Sequence, residues 1–561
     1  VLGTEQLART WVNQTEAHGL IATIVASRSI FSFLYLIALK RHRRMAKSKK
    51  LACLTWSIAA TLWGWGEFEP RFLLGCQSEG FSALLDQPPQ EPAETSAATE
   101  PILAEMMPAA TAAPADPLSI TTDRMKLKVG LGGVLQGSGV LGSWWNLSEQ
   151  YAPDAGYNPD RFWSEQWIKP SVVSEFRLGE SSAIYSGLSY VGSANLGRDV
   201  FEQGNRGLYA VEDAYLGTRL GSSSPDEASL DVSYGRQPYK IGSGMLISVG
   251  AVNGFERGAT TSFARRAWEE AGLVRLRRGM LSLDGFYLNP NELRSSDTFT
   301  RLAGAKLEAT PASDQYLGVA MMHVFDSQYP YVQAPIVFLP DGREGLNTVH
   351  PYLRWKPLPE RWEGFYLAGD YAYQWNDRIA MSSNAFSGEI GNQFLQLPKT
   401  PKLGYTFRSF QGDDPETSRF EKFDPLFYEG APPLWASGSN GSFSFLNSNV
   451  QVHRLQCNVN WTERDTISFY YWHLRADQIN SPLQFGQAGR VDVVGGEPQL
   501  VSGVPDSHLS DDFYVEDFRI LNPNWYLTVG FAVSVPGRGL RALVDDPTTW
   551  YGALASLAFQ Y

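Results

Sequence analysis

Residues 551–561 read YGALASLAFQY. Tyr551, Leu557, Phe559 and Tyr561 share one parity, so an extended backbone places them on a single face. The segment ends on an aromatic residue. A final membrane strand ends this way because it must pair with the first strand to close the sheet. A soluble domain more often finishes in a frayed polar tail. The stretch therefore predicts a closed barrel.

The same alternation recurs upstream. In 364–375, Phe365, Leu367, Tyr371 and Tyr373 oppose Asp370, Gln374 and Asn376. In 347–356, Val349, Leu353 and Trp355 oppose His350, Arg354 and Lys356. Val274 and Leu276 oppose Arg275 and Arg277, and in 449–461 Leu455, Cys457, Val459 and Trp461 oppose Arg454, Gln456, Asn458 and Asn460. An apolar outside and a polar inside would satisfy lipid and an aqueous lumen. Alternation alone also fits the solvated face of a soluble sandwich or propeller.

About eighteen such segments lie between 124 and 561, the first near 126–136 and the last near 550–561. Many run ten residues or so, closer to a tilted membrane strand of about 9–11 residues than to a soluble strand of about 5–6. Short connections alternate irregularly with long polar ones at 136–165, 239–262, 412–448 and 476–508. The fold class expected is all-β: a transmembrane antiparallel β-barrel of 18 strands with long loops on one rim.

Charged residues make up only 19% of the chain and aromatics 13%, which suits strands that meet an interface. A net charge of −12 argues against nucleic acid as a partner. Cys53, Cys76 and Cys457 are odd in number and far apart, suggesting neither a disulfide framework nor a thiolate metal site. The seven histidines form no contiguous ligand motif, so no metal or cofactor is expected.

The sequence before residue 124 differs in texture. A basic cluster, RHRRMAKSKK, precedes the apolar run 51–66, which from Met45 onward reads as a secretory signal. Residues 1–44 are then upstream sequence from a misplaced start. The competing reading is a membrane helix at 20–39, weakened by Arg28. Residues 67–123 form a tail rich in Ala, Pro and Glu with the composition of a disordered linker, and 124–561 form the barrel.

The stretch YTFRSFQGDDPETSRFEKFDPLFYEG, 405–430, carries a resemblance. Gly412-Asp413-Asp414-Pro415, followed by Phe423-Asp424-Pro425-Leu426-Phe427, resembles the alginate-export family of outer-membrane β-barrel porins. Tyr234-Gly235-Arg236-Gln237, Asp284-Gly285-Phe286-Tyr287 and Gly369-Asp370-Tyr371-Ala372-Tyr373-Gln374 support it over roughly 125–561. The resemblance implies an 18-stranded monomer in the outer membrane, contacting its lipid, with an arginine-rich lumen, gating loops and an anionic uronate polymer as the diffusing solute.

Arginine suits a carboxylate through its planar fork of donors. The candidate path residues are Arg236, Arg354 and Arg408 first, then Arg275, Arg277, Arg454, Arg475 and Arg519. Each could instead pair with wall acids such as Glu212, Asp213, Asp370, Glu516 or Asp517. In the loop, Gly412 and Pro415 suit a tight turn and Asp413 and Asp414 suit local backbone bonds. Phe423, Phe427 and Tyr428 would seat the segment, with Asp424, against the wall or across the mouth.

Other classes stay open. A general porin for small organic acids or sugars shares every feature above. A secreted glycan-active enzyme would need a paired-carboxylate site, and no pair stands out. An adhesive barrel would insert without steady conductance. A periplasmic partner and the direction of transport are not written in the residues.

Overall fold

The computed structural model describes residues 119–144, 158–199, 204–221, 227–334, 337–357, 361–429, 435–440, 445–485, 488–489, 491–494, 497–500, 503–543 and 548–561. The upstream extension, the signal and most of the 67–123 tail lie outside the described residues.

Eighteen antiparallel strands close into one barrel. The first six are β1 (Met125–Leu141), β2 (Arg161–Arg177), β3 (Ser182–Gly197), β4 (Arg206–Gly221), β5 (Ser229–Gln237) and β6 (Trp268–Arg278). Next come β7 (Leu281–Asn289), β8 (Arg301–Ala312), β9 (Gln315–Asp326), β10 (Asn347–Trp355), β11 (Phe365–Asn376) and β12 (Met381–Gln393). The last are β13 (Lys402–Phe410), β14 (Val450–Asn460), β15 (Asp465–Ala476), β16 (His508–Asn522), β17 (Trp525–Pro536) and β18 (Trp550–Gln560).

Each strand pairs with its sequence neighbour, and β1 pairs with β18 from Gly132↔Gln560 to Leu141↔Tyr551. Closure removes the edges, leaving no row of open backbone groups to face lipid. Leu557 and Phe559 therefore lie in the closing seam, opposite Leu135 and Gly133. The expected strands are found. The 136–165 connection is shorter than expected, because β1 runs on to Leu141 and β2 starts at Arg161.

One rim carries short turns such as 279–280, 313–314 and 523–524. The other carries long connections at 142–160, 238–267, 327–346, 411–449 and 477–507.

The faces separate as polarity requires. On β9, Leu317 and Met321 are each 57% exposed on the outside, while Ala320 and Met322 are buried on the inside. His350, Arg354, Asp370, Gln374 and Asn376 face inward and are buried, while Leu353, Trp355, Tyr371 and Tyr373 face out. Outward aromatics gather near both rims. Trp355, Trp362, Trp461 and Trp525 lie at the short-turn end, with Trp525 Nε1 donating to Tyr561 Oη at 2.9 Å. Stacked pairs Tyr190–Tyr209 and Tyr373–Trp375 lie toward the long-loop end. Two aromatic girdles bounding an apolar band are what a bilayer selects.

Candidate functional site

Two long connections fold into the lumen and meet there. From 238–267, Ile241, Met245, Leu246 and Ile247 are fully buried. From 411–449, Phe420, Phe423, Leu426 and Trp435 are buried. Apolar residues in a connection need cover from water, and the barrel interior supplies it. The segments join by backbone bonds: Phe427 N donates to Leu246 O (2.9 Å), Ser248 N to Phe427 O (2.8 Å) and Glu429 N to Gly244 O (2.9 Å). Phe423 packs on Phe410 at the end of β13, while Phe427 meets the edge of Trp268 at the start of β6, ring centroids 5.2 Å apart. β6 and β13 are seven strands apart in a ring of eighteen, so the segment crosses the lumen.

Ion pairs latch this crossing. Asp424 takes a bidentate pair from Arg343, Nε to Oδ2 at 2.7 Å and Nη2 to Oδ1 at 3.0 Å, and Tyr331 Oη donates to Oδ2 at 2.6 Å. Burial alone would raise the Asp424 carboxyl, but Arg343 outweighs it and the group titrates below its ordinary range. Arg343 also lies over the Tyr329 ring at 3.9 Å. Glu429 accepts from Arg266 at 2.8 Å and Ser248 at 2.9 Å, with Lys240 at 4.0 Å. Here burial pushes the carboxyl up, and Arg266 and Lys240 pull it down to about 2. Half-buried Lys422 is lowered to about 8 by desolvation.

The other connection is pinned from the wall. Glu165 accepts from Thr261 N and Ser262 N, both at 2.9 Å, and Glu212 accepts from Arg266 N and Ala267 N at 2.6 and 2.7 Å.

The 412–415 motif works differently from its sequence reading. Asp414 does bond locally, accepting from Glu416 N at 2.9 Å. Asp413 instead reaches across, accepting from Ala334 N and Glu421 N, each at 2.6 Å. Gly412 is needed for close approach: a Cβ there would meet Asn449 Oδ1 at 2.0 Å. Pro415 stands at the start of the exposed tip.

The eight candidate arginines divide into three groups. Arg354, Arg408 and Arg454 face inward but are 9%, 3% and 3% exposed. Arg454 Nη2 pairs with Glu389 at 2.8 Å, Arg354 lies over the Tyr366 ring at 4.4 Å, and Arg408 lies over Trp435 at 4.5 Å. These three brace the wall and the crossing segment. Arg275 and Arg277 also face inward, toward the short-turn end, on a less covered surface.

Arg236, Arg475 and Arg519 lie on the outer face, a correction to their placement in the lumen. Arg236 shares the parity of outward Val232 and Tyr234, stands opposite exposed Ala214, and pairs with Glu269 at 2.8 Å. Arg475 is outward and donates to Ser507 Oγ at 3.0 Å. Arg519 pairs with Asp465 and Asp517 near the short-turn rim.

The lumen cations that sequence reasoning missed include Arg177, Arg219, Lys169 and Lys306. A row of directly opposed residues crosses five strands with alternating sign: Arg219, Asp231, Arg275, Asp284 and Lys306. Such cross-strand pairs hold a sheet face together. Arg177 and Arg219 also approach Glu175, at 3.6 and 3.4 Å. Inward parity on β2, β4 and β8 was the available signal.

No protein-family model and no curated protein matches the sequence. Solved structures with a similar fold include a Salmonella typhi OmpF complex with daunomycin, at TM-score 0.38 and 12% identity over 79% of this chain and 100% of that one. Pseudomonas aeruginosa OccK5 (OpdH) aligns at 0.41 and 8% identity, over 78% of this chain and 98% of that one. Pseudomonas aeruginosa OccK11 (OpdR) aligns at 0.42 and 11% identity, over 78% of this chain and 95% of that one.

Proposed function

We propose that the chain is an outer-membrane porin that passes anionic solutes down their gradient, an alginate-like polyuronate among them. The observation that carries this reading is the inner surface near the short-turn rim. Arg177, Arg219, Arg275, Arg277 and Lys306 stand there against Glu175, Asp231, Asp284 and Glu308, an excess of cationic groups over carboxylates. Weak, repeated attraction of this kind favours entry without trapping the solute. The resemblance of 412–427 to the alginate-export family supports the polymeric substrate.

A second reading, a porin for small organic acids or sugars, is favoured by the crossing of the lumen at Leu246–Phe427, because a bridged lumen suits small solutes better than a polymer. Liposome swelling tests the shared claim. Vesicles holding the protein should swell faster in glucuronate than in neutral glucose of similar size. Equal rates would remove the anion preference, and no swelling would remove the channel.

A further inference from the structure

On the outer face near the long-loop rim, histidines gather across three neighbouring strands. His453 on β14 stands directly opposite His473 on β15, and His473 directly opposite Asp511 on β16. His508, the first residue of β16, reaches back onto the same carboxylate. His473 Nδ1 lies 2.8 Å from Asp511 Oδ1, and His508 Nε2 lies 3.0 Å from Oδ2. Three of the five described histidines lie in this patch.

We infer that His473, His508 and Asp511 form a surface site for a divalent transition-metal ion of the zinc class. One ligand atom from each lies within 4.8 Å of the other two. A tetrahedral zinc with arms of about 2.0–2.1 Å needs ligand atoms roughly 3.3 Å apart, so small side-chain rotations close the site. Two imidazoles and one carboxylate are borderline donors that suit zinc, copper or nickel, whereas calcium and magnesium want all-oxygen shells.

The framework is already built. The strand ladder fixes the Cα positions of His473 and Asp511, and Tyr471 Oη donates to Asp511 Oδ1 at 2.8 Å, orienting the carboxylate. The side chains of His473, Asp511 and His508 are 32%, 30% and 28% exposed, open enough for an aqueous ion and a water as fourth ligand. The patch lies beyond the outward pair Tyr471–Phe513, at the level where wall meets water. Arg475, opposite His508 in the ladder, adds a positive charge nearby, which the Asp511 carboxylate offsets. A bound ion would clip β15 to β16 at the base of the 477–507 connection.

The test is Zn²⁺ titration by calorimetry into the full chain refolded in detergent micelles. The wild-type chain should take up one equivalent that His473→Ala and His508→Ala each weaken by more than ~10-fold, since even outer-shell changes cost about 10–100-fold. His453→Ala, outside the ligand set, should leave affinity within about twofold, and Ca²⁺ should not compete. A second measurement needs no variant: Zn²⁺ should slow acylation of His473 and His508 by diethylpyrocarbonate at least ~10-fold relative to His323. Zn²⁺ uptake by His473→Ala/His508→Ala at wild-type affinity, or no protection of these two rings, would overturn the site.

Discussion

Replacing Asp424 by Ala tests whether the segment crossing the lumen restricts the pore. The change removes the carboxylate that Arg343 grips at 2.7 and 3.0 Å and leaves the guanidinium buried among Tyr329, Tyr331 and Phe427. Breaking a buried pair by deleting one partner costs about 3–5 kcal/mol. At about 1.4 kcal/mol per decade, that moves the equilibrium toward a released segment by on the order of 10² to 10⁴. The ladder around the barrel is untouched, so the closed wall should survive, as checked by resistance of the folded band to detergent at room temperature. Single-channel recording should show larger or flickering conductance. The combined variant Arg343→Met/Asp424→Leu/Tyr331→Phe removes the carboxylate together with both of its side-chain donors, leaving only the Leu426 N–H without its acceptor, and should return conductance toward wild type, because apolar replacement of a whole buried pair is often nearly neutral. Wild-type conductance from Asp424→Ala in an intact barrel would refute the restriction.

Further outcomes follow from the same geometry. Deleting 412–430 should raise steady conductance, and an unchanged value would count against occlusion. Replacing Arg177, Arg219, Arg275 and Arg277 by Gln should shift the reversal potential toward cations; the outer-face set Arg236, Arg475 and Arg519, changed the same way, should leave it unmoved. The Glu429 carboxyl is lowered from 4.5 to about 2, so its latch is fully present above pH 4.5 and is lost as pH falls through about 2. Conductance should therefore hold steady from pH 7 to 5 and rise only in stronger acid; a rise complete by pH 5 would contradict the latch. Met321→Arg, at the middle of an outward strand face, should cost about 2–4 kcal/mol in urea unfolding from lipid vesicles if that face meets hydrocarbon, and an unchanged midpoint would place it elsewhere.

Parity made the wall legible from residues alone. Tyr371 and Tyr373 against Asp370 and Gln374, or Leu353 and Trp355 against His350 and Arg354, sort onto outer and inner faces as period-2 reading requires. It failed where it was not applied. Arg236 shares the parity of outward Val232 and Tyr234, yet its motif was read as facing the lumen. Arg475 and Arg519 lie near strand ends, where a long cationic side chain on the outer face can reach the polar boundary. The crossing segment was readable as aromatic and anchored. Its partners Arg343, Ala334 and Trp268 were not, because they come from distant parts of the chain that only the closed barrel brings together. The run Met245-Leu246-Ile247 inside a long connection was the one local sign that a second segment also folds inward.

A conducting barrel whose lumen prefers anions is tested most directly by planar-bilayer recording of the refolded protein in asymmetric KCl. Steady steps with an anion-selective reversal potential are expected, the current being reduced by added polyuronate and not by a neutral glycan. Clear cation selectivity, or a membrane-inserted protein that carries no steady current, would contradict it.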